Sequence, residues 1–275
     1  MAISLELKKR TVTAVIGALG LVSLIVFVGW LGVFVLATLI SLGMVFEFSE
    51  ITFSMPDRTK KKYVLLLLGL LAALIHAFAI YSEFHLLIFS FISLFIYYLL
   101  TANRHDEAQF LRHFKELMYS VFGLIYTVFM PFYFIRIYEF ENGAAWTILF
   151  LLIVWSGDTG AYFVGKKYGR QKLYPKISPN KTSEGAAGGL IAGVLVTVLF
   201  KVLFFRVLPW FGAIILPVVV GAASQMGDFC ESFFKRAFDR KDSGSLLPGH
   251  GGVLDRFDGV VFGLPVMYIC MRLFG

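Results

Sequence analysis

The chain has 275 residues, of which 58% are hydrophobic, 17% are aromatic and only 16% are charged. Soluble domains carry about 25% charged residues, so this composition excludes an ordinary soluble protein and indicates a polytopic membrane protein. The net charge of +7 does not indicate a nucleic-acid partner, because the basic residues lie in short segments between apolar runs. Cys230 and Cys270, the two cysteines, lack the spacing of a zinc site.

Apolar runs follow one another along almost the whole chain. A membrane-spanning helix needs about 20 predominantly apolar residues. The first two runs are separated only by residues 29–32, which predicts a tight hairpin. Residues 105–118 place apolar side chains at helical spacing among charges, which fits either an interfacial helix or a solvated connector. Nine runs qualify as spans, at roughly residues 11–30, 32–52, 63–81, 84–101, 117–137, 144–165, 184–205, 210–230 and 257–274.

Basic residues lie almost entirely on one side of these spans. Of the 25 lysines and arginines, 21 fall in segments that alternating spans place together, and the positive-inside rule makes this side cytoplasmic. We expect an all-α polytopic protein of the cytoplasmic (inner) membrane, with about nine transmembrane helices. Its N-terminus is then cytoplasmic and its C-terminus outside, with the chemistry at the cytoplasmic face. Residues 1–140 hold spans one to five, and residues 141–275 hold spans six to nine and the polar motifs.

The longest polar interval of the second half runs from Ser232 to Asp258, with the sequence SFFKRAFDRKDSGSLLPGHGGVLDRFD. Lysines and arginines alternate there with aspartates, and glycines lie between the charges. A glycine-rich backbone lets N–H groups approach an anion, which the cations neutralise. Carboxylates can hold a divalent cation that bridges phosphate oxygens. The interval therefore predicts a polyphosphate and metal site at the mouth of a membrane protein.

Two apolar runs contain acidic residues of their own. Asp158 lies inside span six, where a carboxylate costs about 2.5–3.5 kcal/mol on insertion scales, so it is a functional candidate or a structural hydrogen-bonding group. Tyr162 and Lys166 follow it on the same helical face. In span eight a polar stripe recurs at helical spacing, and an interhelical hydrogen-bond stripe would explain its serine better than its aspartate. The stripe comprises Ser224, Asp228, Glu231 or Ser232, and Lys235.

Helix ends supply further candidates. Thr182 or Ser183 can cap span seven with Lys181 beside them, and helix N–H groups plus a lysine form a phosphate site. Asp255 and Asp258 share a face at the start of span nine, where the helix dipole alone would account for one of them. Near the end of span two, the acidic residues Glu47 and Glu50 are interpreted as interfacial groups rather than catalytic ones.

The polar interval resembles the signature of the CDP-diacylglycerol synthases (phosphatidate cytidylyltransferases). Two more stretches are similar to the same family, DTGAY at residues 158–162 and SPNKTSEG at residues 178–185. The resemblance is specific from about residue 155 to 260. The matching elements of the signature are Ser232, Lys235-Arg236, Lys241-Asp242, Pro248, His250-Gly251-Gly252, Asp255-Arg256 and Asp258.

The resemblance implies that CTP and phosphatidate react to give CDP-diacylglycerol and pyrophosphate. No catalytic triad or Walker loop is visible in the sequence, which argues against a covalent enzyme nucleophile. The expected step is direct attack of the lipid phosphate on the CTP α-phosphorus with the help of Mg²⁺, and a second cation is an option. The expected metal ligands are Asp228, Asp255 and Asp258, with Asp158 as a further choice. The expected catalytic residues are Asp228, Asp255, Lys181, Lys241 and His250. The expected substrate-binding residues are Ser232, Lys235, Arg236, Arg256, Gly251, Gly252, Asp158 and Asp242.

Other functions would use similar residues. A CTP-dependent lipid kinase or a polyprenyl-phosphate transferase would also place acids and lysines at the cytoplasmic face. An organic-anion transporter belongs to a different class and tends to show repeats, broken helices and charges at the bilayer midplane, whereas no repeat is seen here and most acids lie at helix ends. A helical bundle of this kind can form a homodimer, although no residue indicates the interface.

Overall fold

Long helices that reverse direction at each connection make up most of the chain in a computed structural model, which describes residues 17, 19–53, 57–77, 83–102, 107–246 and 251–274. A short antiparallel hairpin of β1 (Lys172–Tyr174) and β2 (Ser178–Thr182) joins the sixth helix to the seventh. The helices are α1 (Leu19–Val28), α2 (Trp30–Thr52), α3 (Arg58–Ala77), α4 (Glu83–Ala102), α5 (Glu107–Gly123, the π-helical Leu124–Phe129 and Met130–Tyr138 in one run), α6 (Gly143–Tyr168), α7 (Ser183–Leu203), α8 (Trp210–Ala237) and α9 (Leu254–Phe274).

The helices confirm an all-α polytopic membrane fold. Within the described ranges, seven helices, α2 and α4 to α9, are long and apolar enough to cross a membrane. Helix α3 covers most of the third predicted span but begins with a charged turn, and α1 is too short in its described part. Residues 1–16, where the first predicted span begins, lie outside the described residues. The count of nine spans therefore stays a prediction.

Polar contacts divide the bundle into two ends. We call one the charged end: α2, α4, α6 and α8 finish there, and α3, α5, α7 and α9 begin there. Ion pairs cross between helices at this end, as from Arg58 to Glu50 at 2.7 Å. At the opposite end, Trp30 Nε1 donates to Glu139 Oε1 at 3.1 Å. The lysine- and arginine-rich segments that start α3 and α5, and those that join α6 to α7 and α8 to α9, all lie at the charged end as far as the structure describes them, as the loop charges predict.

Two turns of the N-terminal region depart from regular helix for local reasons. Gly29 has φ of 71°, a value that glycine adopts freely, and it interrupts the helix between α1 and α2 where the sequence predicts a tight hairpin. Residues 107–118, the described part of the 105–118 segment, are helical and continue without a break into the rest of α5, so the segment is not an irregular connector, and its interfacial position stays a prediction. Pro131 lacks an N–H, and the π-helical turn before it accommodates the missing hydrogen bond.

Glycines let α6 and α7 pack closely along their lengths. A Cβ atom on Gly160 would lie 2.6 Å from the Ala192 Cβ, and one on Gly188 would lie 2.5 Å from the Val164 Cβ. Since neither position has room for a side chain, the two backbones approach directly. Thr182 caps α7 as predicted, because its Oγ1 accepts a hydrogen bond from Gly185 N at 3.1 Å. The approach and the cap together fix where the end of β2 lies.

Helices α8 and α9 meet in the same way. A Cβ on Gly227 would lie 2.5 Å from the Asp258 backbone oxygen, and one on Gly259 would lie 2.7 Å from Ser224 Oγ. The two helices therefore touch at the level of Asp228 and Asp258. Because each carboxylate neighbours a glycine of this contact in the sequence, the packing brings the two acidic residues to one depth in the bundle.

Candidate active site

Two adjoining cavities open at the charged end. The first has a volume of about 580 Å³ and lies between the β hairpin, α6, α7 and α8. The second has a volume of about 270 Å³ and lies between α6, α8 and α9. Asp158 and Asp228 line both cavities, so these two carboxylates stand where the cavities meet. Two reactants held in the two cavities would meet at these acids.

The polar face of α6 lines the first cavity. Asp158, Tyr162 and Lys166 follow at four-residue spacing, and all three belong to its wall. Lys166 Nζ also lies 5.7 Å from the centroid of the Tyr162 ring. The sequence predicts this face from helical spacing alone, and the structure supplies its partner walls from the hairpin and α7.

Lys181 connects the hairpin to α8. Its Nζ forms an ion pair with Asp228 Oδ2 and lies 4.5 Å from the centroid of the Phe229 ring. Both charged side chains stay about one third exposed, at 30% and 38%, so solvent and ligands can reach them. Because Lys181 ends the SPNK segment and Asp228 belongs to the stripe of α8, two separate sequence motifs meet here.

Lys235 joins α8 to α9 on the wall of the second cavity. Its Nζ lies 2.6 Å from Glu231 Oε2 and 2.6 Å from Asp255 Oδ1. Glu231 is 1% exposed, whereas Lys235 is only partly buried. The stripe predicted on α8 therefore faces α9 and the second cavity, and one cation neutralises two carboxylates there.

Asp255 also holds the connection between α8 and α9. Its Oδ2 accepts hydrogen bonds from Ser243 N at 3.1 Å and from Gly252 N at 3.3 Å. Both carboxylate oxygens of Asp255 are thus engaged, one by a lysine and one by the loop backbone. Gly251 has φ of 83°, which places this backbone in the left-handed region that favours glycine.

The acids of the second cavity fit a magnesium site that substrate completes. Among the described residues, no three acidic, histidine or cysteine side chains are arranged to hold a metal ion by themselves. Mg²⁺ takes one or two carboxylates in many enzymes and receives its other ligands from water and substrate phosphates. Asp158, Asp228 and Asp258 all line the second cavity, and carboxylates are the ligands that Mg²⁺ prefers.

The structure brings some predicted residues to the cavities and leaves others outside. Ser232 and Arg256 line the second cavity. Lys241 and Asp242 are exposed and belong to neither of the two described walls. Arg236 is also exposed, and its Nη1 donates to the Arg240 backbone oxygen at 3.1 Å. Gly252 contacts the site through Asp255, and His250 lies outside the described residues.

Two buried carboxylates that the sequence analysis names, Glu231 and Glu47, were not predicted as site residues. Glu231 had a signal, because its spacing from Lys235 is that of a helical ion pair. Glu47 had none, since its partners Ser243 and Leu254 lie about two hundred residues later. The interfacial interpretation of Glu47 is wrong, because its side chain is buried under the loop before α9. Glu50, by contrast, is partly exposed and pairs with Arg58 and Lys62.

Comparison with known proteins agrees with the motifs and the geometry. The sequence profile of the Cytidylyltransferase family matches residues 8–274, which is almost the whole chain. The phosphatidate cytidylyltransferase of Bacillus subtilis (strain 168) is 36% identical over 194 residues, or 70% of each protein. Proteins of the same name from Staphylococcus saprophyticus and Staphylococcus aureus (strain COL) are 41% and 42% identical. Both of these matches cover 57% of this chain and 60% of the relative.

These matches extend beyond the polar motifs into regions where the sequence shows only compatible hydrophobic spans. They confirm the resemblance seen in the interval from Ser232 to Asp258 and in the two shorter stretches. The chain is therefore a member of the cytidylyltransferase family, and the two cavities at its charged end are the candidate active site of an integral-membrane enzyme.

Proposed function

We propose that this chain makes CDP-diacylglycerol and pyrophosphate from CTP and phosphatidate. The observation that carries the proposal is the pair of adjoining cavities walled by lysines and aspartates from three separate motifs. Two polyanions react in this chemistry, so the site must neutralise charge on both. The names of the similar proteins, phosphatidate cytidylyltransferase, support the same substrates and reaction.

The reaction needs no covalent intermediate on the protein. An oxygen of the phosphatidate phosphate attacks the α-phosphorus of CTP, a new P–O–P bond forms, and the bond to the β-phosphate breaks. Pyrophosphate leaves with the electron pair of the broken bond. Alignment and charge neutralisation supply the rate enhancement in such transfers. Lys181 and Lys235, which now face Asp228 and Asp255, are placed to take up phosphate oxygens.

A magnesium ion would be held by the carboxylates at the junction of the cavities. Asp228 and Asp258 line the second cavity and offer oxygens to it, whereas Asp255 would become a ligand only after it gives up the Lys235 contact. When bound there, such an ion would supply positive charge that offsets the charge of the substrate phosphates. Asp158, on the shared wall, is the further acid within this group.

The site would face the cytoplasm, and the membrane would be the cytoplasmic (inner) one. Support comes from the lysine- and arginine-rich connections, which all meet at the charged end beside the cavities. CTP is a water-soluble cytoplasmic substrate and phosphatidate is a membrane lipid, so both can reach a site at this interface. A homodimer stays a prediction, and nucleic acid is not expected as a partner.

The first experiment measures pyrophosphate release by the purified protein in detergent with phosphatidate, CTP and Mg²⁺, and omits each component in turn. We expect release only when all three are present, together with a CDP-lipid product. CDP with a phosphorylated lipid would instead identify a lipid kinase. Folded protein that turns over nothing would overturn the proposal, and substrate-dependent flux through sealed vesicles would then indicate a transporter.

A further inference from the structure

A carboxylate of the N-terminal region lies directly beneath the loop that ends in Asp255. Glu47, in the penultimate turn of α2, is 1% exposed. Its Oε2 accepts hydrogen bonds from Leu254 N at 2.9 Å and from Ser243 Oγ at 3.2 Å. Leu254 is the first residue of α9, so Glu47 caps a helix from another part of the chain.

The backbone of the loop lies directly on this carboxylate. A Cβ atom on Gly244 would be 2.5 Å from Glu47 Oε1, and one on Gly252 would be 2.5 Å from Glu47 Oε2. Neither distance leaves room for a side chain, so the glycines before α9 are required where the loop passes over Glu47. Glu47 therefore contacts two segments of the loop, one at Gly244 and one at Gly252.

Ser243 carries the contact from Glu47 to Asp255. Its Oγ donates to Glu47 Oε2 and accepts a hydrogen bond from Asp255 N at 3.3 Å. Its backbone N donates to Asp255 Oδ2 at 3.1 Å. The Asp255 carboxylate in turn receives Lys235 at 2.6 Å. One set of hydrogen bonds therefore runs from α2 to the wall of the second cavity.

The position of Glu47 is costly for stability alone. Its Oε1 is buried and has no hydrogen-bond partner among the described residues. A buried acceptor without a partner lowers the stability of the fold, and does so more strongly when it is charged. A serine, threonine or aspartate within the loop could cap α9 without this cost. The contact of Glu47 with the loop is better explained if its role is to fix the positions of Ser243 and Leu254.

We propose that Glu47 is a positioning residue for the transfer reaction. Through Ser243 and the first turn of α9, it fixes the position of Asp255 and, through Asp255, that of Lys235. The inference rests on the proposed function, because it concerns the same site. It assigns to the N-terminal region a part in the chemistry, although that region contributes no residue to the lining of either cavity.

The test compares Glu47→Leu, Glu47→Gln and Ser243→Ala, each measured for kcat and KM of pyrophosphate release. Leucine removes both acceptor oxygens, whereas glutamine keeps one. A misplacement of about 1 Å can cost about 10²-fold in rate, so we expect Glu47→Leu to lower kcat by about that factor with little change in KM for CTP. Glutamine should restore most of the loss. Glu50→Gln, on the same helix but paired with Arg58 and Lys62, is the matched control and should keep the wild-type kcat.

Coupling between the two residues separates positioning from simple stabilisation. If Glu47 acts through Ser243, the kcat of the double variant Glu47→Leu/Ser243→Ala should be close to that of the slower single variant and clearly above the product of the two single effects. Independent effects that multiply, or a wild-type kcat in folded Glu47→Leu, would overturn the proposal. Should Glu47→Leu not fold, Ser243→Ala decides the question, because it removes the link between Glu47 and Asp255: a lowered kcat supports the proposal and a wild-type kcat overturns it.

Hydrogen exchange gives a readout that does not depend on activity. We expect the amides of Ser243, Gly252 and Leu254 to lose protection in Glu47→Leu and Ser243→Ala, and to keep it in Glu50→Gln. If wild-type protein releases no pyrophosphate but the exchange result holds, the proposed function fails and the contact of Glu47 with the loop stands. If protection is unchanged in all three variants, the positioning role is wrong whatever the enzyme catalyses.

Discussion

The N-terminal region (residues 19–138) and the C-terminal region (residues 143–274) use charged residues in different ways. In the first, Lys61 and Glu116 form an ion pair between α3 and α5, and their side chains are 5% and 8% exposed. In the second, Lys181 and Asp228 form a pair whose side chains are 30% and 38% exposed. A closed pair ties helices together, whereas an open pair beside a cavity can exchange its partners for a ligand.

The two regions also differ in how their helices pack. In the N-terminal region, the glycine Gly123 of α5 faces an aromatic side chain of α2, since a Cβ atom there would lie 2.5 Å from the Phe48 ring. Helices α6 and α7 instead meet through glycines such as Gly160 and Gly188. Backbones that touch leave little freedom for adjustment, so the C-terminal region forms the more exact framework, as an active site requires.

Asp228→Asn should have the largest effect on turnover, because it removes the acid that stands at the junction of both cavities. Loss of one charge-stabilising group of this kind lowers kcat by about 10²–10³-fold. The loss of kcat is measured as the rate of pyrophosphate release by folded protein. The matched control is Asp239→Asn, an exposed acid of the loop after α8, which should keep the wild-type rate. Equal rates for the two variants would remove Asp228 from the site.

Lys181→Met should have the next largest effect. It removes the cation that faces Asp228, and a charge-assisted hydrogen bond to phosphate contributes about 1.5–3 kcal/mol. We expect kcat/KM for CTP to fall by about 10- to 100-fold, since about 1.4 kcal/mol corresponds to a factor of ten. Lys176→Met on the turn of the same hairpin is the control, because that side chain is exposed and belongs to neither cavity wall. Similar losses in both variants would indicate a general surface-charge effect.

Gly188→Val should act on the framework rather than on the chemistry. A Cβ at this position would lie 2.5 Å from Val164, so valine must force α6 and α7 apart. Overpacking of this kind costs about 1–3 kcal/mol, and we expect a lower thermal midpoint in detergent with a smaller loss of turnover. The neighbouring Ala187→Val lies on an exposed face and should leave the midpoint unchanged. A normal midpoint for Gly188→Val would show that the two helices can separate freely.

Lys61→Met should have the smallest effect on turnover and a large one on stability. Removing Lys61 leaves the buried Glu116 with the exposed Arg112, 3.6 Å away, as its remaining cation, so the loss of stability should approach the about 3–5 kcal/mol of a broken buried pair. The free energy of unfolding should fall, and turnover per folded molecule should stay unchanged because the pair lies outside both cavities. The double variant Lys61→Met/Glu116→Leu should recover most of the stability. A fall in turnover without unfolding would break the contrast between the two regions.

Local signals in the sequence predicted much of this structure. Apolar runs of spanning length predicted the helices, and the loop charges predicted which helix ends lie together at the charged end. The helix cap at Thr182 is also present as predicted. The polar face of Asp158 and the stripe through Asp228 followed from helical spacing, which fixes side-chain direction over a few turns. The family signature then marked the remaining acids and lysines without placing them in space.

The contacts between distant segments could not be predicted. Nothing near Glu47 indicates that it meets Ser243 and Leu254, because that meeting depends on how α2 packs against α9. Spacing along one helix likewise cannot show that Lys181 reaches Asp228 across a cavity. The helix boundaries differ from the predicted span boundaries for a related reason. Helix α5 begins before its apolar run and α8 ends after its own, because both include charged turns that neighbouring helices contact.

The open pair of Lys181 and Asp228 has a consequence for how ligands assemble. Each side chain satisfies the charge of the other, so a phosphate that draws the lysine away leaves a carboxylate in need of a cation. A divalent ion that takes the carboxylate likewise releases the lysine. Nucleotide and metal should therefore bind with positive thermodynamic coupling, each raising the affinity of the other by the same factor.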